Sequence, residues 1–75
     1  MNHKKGDTVR IKGTEWYKAN RNPQGTITAI RHQDFIQAMS KYCGREATIV
    51  EERDFYYKIN IDNRFFKWTD EMLED

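Results

Sequence analysis

Tyr57-Lys58-Ile59-Asn60-Ile61-Asp62-Asn63-Arg64-Phe65-Phe66-Lys67-Trp68 is the stretch whose reading decides the fold. Tyr57, Ile59 and Ile61 recur at every second position, the period of a strand with one dry face. Asp62-Asn63-Arg64 then reverses the chain with residues that suit turns. With Asn63 and Arg64 as the central turn residues, Ile61 faces Phe66 and Ile59 faces Trp68, stacking four large apolar side chains on one face. Moving the turn by one residue leaves the same side chains inward. Phe65, beside an inward Phe66, points outward, as does Tyr56 beside Tyr57.

Downstream, Thr69 is placed to cap a short helical turn, with Asp70 and Glu71 suiting its positive end. Met72 and Leu73 then fold back onto the core. Upstream, Glu46 to Glu51 reads as a strand with Ala47 and Ile49 on one face, followed by the charged turn Glu52-Arg53-Asp54. Asp34 to Tyr42 is predicted helical, because Phe35, Met39 and Tyr42 fall at i, i+4 and i+7. Asp34 is its predicted cap, Gln37 completes a capping box, and Gly44 supplies a left-handed end. Thr26 to Ile30 is a β-branched strand, and Asn20 to Gly25 is dense in turn formers. Residues 15–20 read either as one helical turn or as an excursion between strands. Thr8 to Lys12 alternates, with Val9 and Ile11 inward. Residues 1–5 are expected to be disordered. Five short strands with one short helix and a C-terminal helical turn predict a mainly β chain, closed into a small SH3-like barrel that leaves no sheet edge open.

The chain has 75 residues, enough for one domain and one small core. Ten aromatics supply bulk that so short a chain otherwise lacks. One cysteine, Cys43, excludes an internal disulfide, and no apolar run approaches signal or membrane length. The expected compartment is therefore the cytoplasm, with no membrane partner. The net charge of +1 hides an asymmetry: residues 1–33 sum to +5 and residues 34–75 to −4. That imbalance reads first as pairing between the halves, and second as a basic patch around the first strand.

The segments Gly6-Asp7-Thr8-Val9-Arg10-Ile11, Met39-x-x-Tyr42-x-Gly44-x-Glu46-Ala47-Thr48-Ile49, Tyr57-x-Ile59-x-Ile61-Asp62-Asn63 and Trp68-Thr69-Asp70-Glu71-Met72-Leu73 together resemble a family of small SH3-like barrel proteins. These are short uncharacterised proteins common in bacteriophages and prophage-like regions of bacterial genomes. The C-terminal pattern is also similar, more distantly, to Mib/Herc2-type SH3-like domains. The resemblance implies the barrel and brings no activity with it. Such relatives turn with Asp-Asn-Gly where this chain has Arg64, and arginine disfavours positive φ. Proline-rich-peptide SH3 domains carry an Ala-Leu-Tyr-Asp-Tyr motif and paired tryptophans; Trp16 and Trp68 stand far apart, so polyproline recognition is not implied.

The acids lie at turns and outward strand positions, where water solvates them, so no paired acid–base constellation is evident and no enzyme is expected. Cys43 and His32 are the one conceivable nucleophile pair. Read more simply, Cys43 is a small residue closing the helix and His32 is a solvated loop residue. One Cys and two separated His do not supply a zinc site, and no cofactor is expected. The binding candidates are Trp16, Tyr17, Tyr56 and Phe65, an outward aromatic set beside Lys58 and Lys67 suited to a protein partner. The alternative is nucleic acid, with Arg10, Lys12, Lys18, Arg21 and Arg31 tracking phosphates while Trp16 or Tyr17 stacks a base. The oligomeric expectation is a monomer or weak homo-oligomer, with a self-associating structural protein of a phage or mobile element as a third reading.

Overall fold

The computed structural model describes residues 2–30 and 33–74. In chain order the elements are β1 (Thr8–Arg10), α1 (Thr14–Asn20), β2 (Ile27–Ile30), β3 (Gln33–Phe35), a 3-10 helix (Gln37–Tyr42), β4 (Glu46–Glu52), β5 (Tyr57–Ile59) and a 3-10 turn (Asp70–Met72). The chain is mainly β. Each strand of the larger sheet alternates as its sequence does: Val9 on β1, Ala47 and Ile49 on β4, and Tyr57 and Ile59 on β5 are buried.

β1, β4 and β5 form an antiparallel sheet in that order. Val9 lies across from Ala47 and Ile49 across from Ile59, so apolar side chains stack across the sheet. Single bridges extend it at both edges. Ile11 pairs with Leu73, where Lys12 N–H donates to Met72 O at 2.9 Å and Glu74 N–H to Arg10 O at 2.8 Å. Tyr57 pairs with Trp68 through N–H···O bonds of 2.7 and 3.1 Å. The order of paired segments is therefore Leu73, β1, β4, β5, Trp68. β2 and β3 make a separate two-stranded sheet, with Ile27 opposite Phe35. No closed ring of strands forms among the described residues, which corrects the expected closed barrel. The residues between β1 and β4 spend their strand pairing on each other instead.

The segment predicted as a helix from Asp34 to Tyr42 is a strand end followed by a 3-10 helix. Phe35, Met39 and Tyr42 are nonetheless all buried. Pairing with Ile27 turns Phe35 inward from β3, and Met39 and Tyr42 are three residues apart, one full turn of a 3-10 helix. Asp34 caps nothing here: Ile36 holds the cap position with extended backbone. Gly44 does take the left-handed conformation, at φ 80°. Residues 14–20 resolve as α1, and Asn22 builds the turn after it, its Oδ1 accepting from Gln24 and Thr26 N–H at 3.0 and 2.9 Å. Residues 2–5, expected to be disordered, are tied down instead. Asn2 N–H donates to the Asp70 carboxylate, His3 N–H to Tyr57 Oη at 2.9 Å, and Lys5 N–H to Glu52 Oε1 at 3.1 Å.

The hairpin after β5 departs from its expected register by two residues. Trp68 faces Tyr57 rather than Ile59, and Asn60 to Arg64 form the turn. A two-residue shift keeps the inward face, so Trp68 is fully buried while Ile61 is only half-buried. Asn63 and Arg64 both take positive φ, 55° and 60°. The Asp62 carboxylate holds them there. Its Oδ1 accepts from Arg64 N–H at 3.1 Å, and its Oδ2 from Phe66 N–H at 2.9 Å and Trp68 Nε1–H at 3.0 Å. Thr69, the expected cap of the terminal turn, makes no capping bond; its buried Oγ1 has no hydrogen-bond partner among the described residues. Met72 and Leu73 do fold back and are buried.

Two substitutions test this hairpin. Trp68→Ala is expected to cost about 3–5 kcal/mol, a large share of the stability of so small a domain, and to abolish a cooperative melt near room temperature. A barely shifted melting curve would contradict the burial of the indole. Arg64→Gly is expected to raise the thermal midpoint by removing a left-handed strain of about 1 kcal/mol. A lower midpoint in differential scanning calorimetry would mean that the Arg64 side chain contributes more than its backbone costs.

Candidate functional site

Phe65, Phe66 and Lys67 lead out of the Asp62 turn, and the Tyr57–Trp68 bridge sets them beside β5. That bridge puts the chain neighbours Lys58 and Lys67 across from each other. Both ammonium groups sit over the ring of Tyr56, Lys67 Nζ at 5.0 Å and Lys58 Nζ at 5.6 Å from its centroid. Lys58 Nζ also donates to Phe65 O at 3.4 Å. Phe65 is 74% exposed and lies edge-on to half-buried Phe66, with ring centroids 4.8 Å apart. Phe66 in turn borders an open depression of about 380 Å³ with Gln33, Asp34, Ile36, Met39 and Lys67. Ile36 is 40% exposed.

The structure thus brings together Tyr56 and Phe65 from the sequence-predicted binding set, with the two lysines predicted beside them. It separates the other two. Tyr17 is a correction: it is a core residue, 8% exposed, and its hydroxyl donates to Gly25 O at 2.6 Å. An aromatic on α1 that faces β3 is covered by Phe35, whose ring centroid is 5.7 Å away. Trp16 is half-buried, edge-on to Phe35 at 5.0 Å, with Lys12 Nζ 5.5 Å from its ring. It reaches the ledge only through the core, along the ring contacts Trp16–Phe35–Trp68–Phe66.

The basic residues do not assemble as one phosphate-tracking row. Arg10 is engaged on its own sheet, pairing with Glu46 at 3.0 Å and donating to Gly44 O at 2.6 Å. Lys12 stands over Trp16. Lys18 is exposed on the last turn of α1, and Arg21 donates to Asn22 O at 3.3 Å. Arg31 and His32 lie outside the described residues, so the Cys43–His32 pairing does too. Cys43 is half-buried, and burial pushes its thiol above the ordinary range, away from the thiolate a nucleophile needs. Among the described residues, no three His, Cys, Asp or Glu side chains gather where a metal could be held. No helix among them is long and apolar enough to cross a membrane.

Sequence reasoning missed the depression, and Ile36 with it. The only local signal was a lone isoleucine following Phe35; its exposure depends on the switch from β3 to the 3-10 helix. Compared with protein-family models, with curated proteins and with solved structures, the chain matches none.

Tyr57 sits behind the ledge, fully buried, and ties the N-terminal arm to the terminal 3-10 turn. Its hydroxyl donates to Asp70 Oδ1 at 2.6 Å and accepts from His3 N–H. Burial, aided by the bond to Asp70, pushes the phenol up from 10.0 to about 12. The folded protein therefore holds this proton more tightly than the unfolded chain does. The resulting stability is complete below pH 10.0 and is lost as pH rises towards about 12. In an alkaline titration followed by phenolate absorbance, Tyr57→Phe is expected to lack the last phenol to ionise. Its chemical stability should also fall less steeply over that range. Identical alkaline limbs in the two proteins would contradict the buried bond.

Proposed function

We propose that this protein is a small, non-enzymatic interaction module of SH3-like type that binds a protein partner through the ledge formed by Tyr56, Phe65, Phe66 and the adjoining depression. The observation that carries the reading is Phe65. It is a large apolar side chain mostly in water, on a turn held in a costly left-handed conformation by a buried carboxylate. Beside it lie a second aromatic surface and an open depression bordered by Phe66 and Ile36, and large exposed aromatics at a concavity are the usual anchors of protein interfaces. The SH3-like reading is supported by the order Leu73, β1, β4, β5, Trp68 and by the 3-10 turn that precedes Leu73. Residues 12–44 then form a long insertion between the first two strands of that order. The likeness of the quoted segments to small phage and prophage proteins supports a setting of that kind. Its single thiol suits the reducing cytoplasm.

The double variant Tyr56→Ser/Phe65→Ser tests the ledge. Since neither side chain is in the core, it should remain folded, at a cost of no more than about 1 kcal/mol. The immobilised wild-type protein should retain proteins from a bacterial lysate at high salt that the folded double variant does not. Equal retention by both would remove the ledge as the site, and loss of folding would reassign both residues to the core.

A further inference from the structure

Resting on that reading of the ledge, we infer that its partner is an acidic peptide segment with a large apolar residue. The side chain of that residue enters the depression lined by Ile36, Met39 and Phe66, and its flanking carboxylates meet Lys58 and Lys67. Three observations point the same way. First, Lys58 and Lys67 face each other across the Tyr57–Trp68 bridge, and both ammoniums gather over one ring. Like charges directly opposite on a sheet repel. Second, among the described residues no carboxylate lies within ion-pair distance of either lysine, although the chain carries twelve acids. Elsewhere Arg10 pairs with Glu46 and Arg53 with Glu51. An incoming anion at the ledge therefore relieves repulsion and competes with the long 3.4 Å bond from Lys58 Nζ to Phe65 O. Third, the depression beside the lysines is about 380 Å³ and offers Ile36, Met39 and Phe66 to an apolar side chain, with Gln33, Asp34 and Lys67 completing its wall.

These features favour an acidic peptide over a single-stranded nucleic acid. Stacking along a strand needs successive open ring faces, and the Tyr56 ring is attended by two ammonium groups, which leaves Phe65 as the one open ring of the ledge.

The test uses the full chain and fluorescence anisotropy with three labelled probes: a short peptide of Asp and Glu around one Phe, the same peptide with Ser for each acid, and a short oligothymidylate. The acidic peptide should bind best and should weaken with salt. Lys58→Glu and Lys67→Glu should each weaken it severalfold, and the two together roughly tenfold or more, while Lys18→Glu, the same charge change as either single variant but on α1, should leave it unchanged. An equal loss in Lys18→Glu would overturn the inference by showing a net-charge effect only. Tighter binding of the oligothymidylate, or no binding of the acidic peptide, would overturn it as well. Equal binding of the Ser and acidic peptides, abolished in Tyr56→Ser/Phe65→Ser, would overturn the acidic partner while leaving the ledge as a protein-binding site.

Discussion

The carboxylate of Asp62, buried beside the indole of Trp68, is the constraint on which the C-terminal half of this protein depends. A buried carboxylate is costly unless its oxygens are satisfied. Here they accept two backbone N–H groups from the turn and the indole N–H. Those bonds make the left-handed backbone at Asn63 and Arg64 tolerable and attach the turn to the centre of the core. Trp68 in turn lies edge-on to Phe35 at 5.9 Å and Tyr42 at 6.0 Å, rings contributed by the segment between β1 and β4. One carboxylate thus links the hairpin to the insertion that closes over the core.

The surface follows from the same constraint. With Trp68 anchored inward and paired with Tyr57, Lys67 turns out beside Lys58, and Phe65 is left at the exit of the turn with solvent around most of its ring. Phe66, between them, is half-buried between Tyr42 and the open depression. The ledge is therefore built on paired backbone rather than on a free loop. A rigid aromatic anchor loses little conformational freedom on binding. Behind it, the Tyr57 hydroxyl ties the N-terminal arm and Asp70 to the same hairpin, so the arm, the strand pair and the terminal turn meet at one phenol.

Much of the core was legible in the sequence because burial follows side-chain period even where the element is misassigned. Phe35, Met39 and Tyr42 were correctly placed inward on a helix that does not exist as such. A strand end plus one 3-10 turn puts the same three residues on the same side. The Trp68 register was wrong by two residues, and its face was right for the same reason. What local pattern could not resolve was competition between partners. Tyr17 and Trp16 look alike as neighbouring aromatics and both meet Phe35, but Tyr17 is buried with its hydroxyl bonded to Gly25 O while Trp16 stays half-buried. Likewise, Asp34 and Thr69 have capping chemistry, yet Ile36 takes the cap position expected of Asp34, and Thr69 holds its cap position without a side-chain bond.

By itself the sequence determined where β1, β2, β4 and β5 lie, the burial of Tyr57, Ile59 and Trp68, and the outward direction of Tyr56 and Phe65, since those depend on alternation along a single strand. The tertiary structure alone decided that the strands form two sheets rather than one closed ring and that Ile36 and Phe66 share a depression. It also decided that Lys58 and Lys67 converge on one tyrosine ring. Each of these depends on pairing between segments far apart in the chain, and alternation within a segment carries no record of its partner.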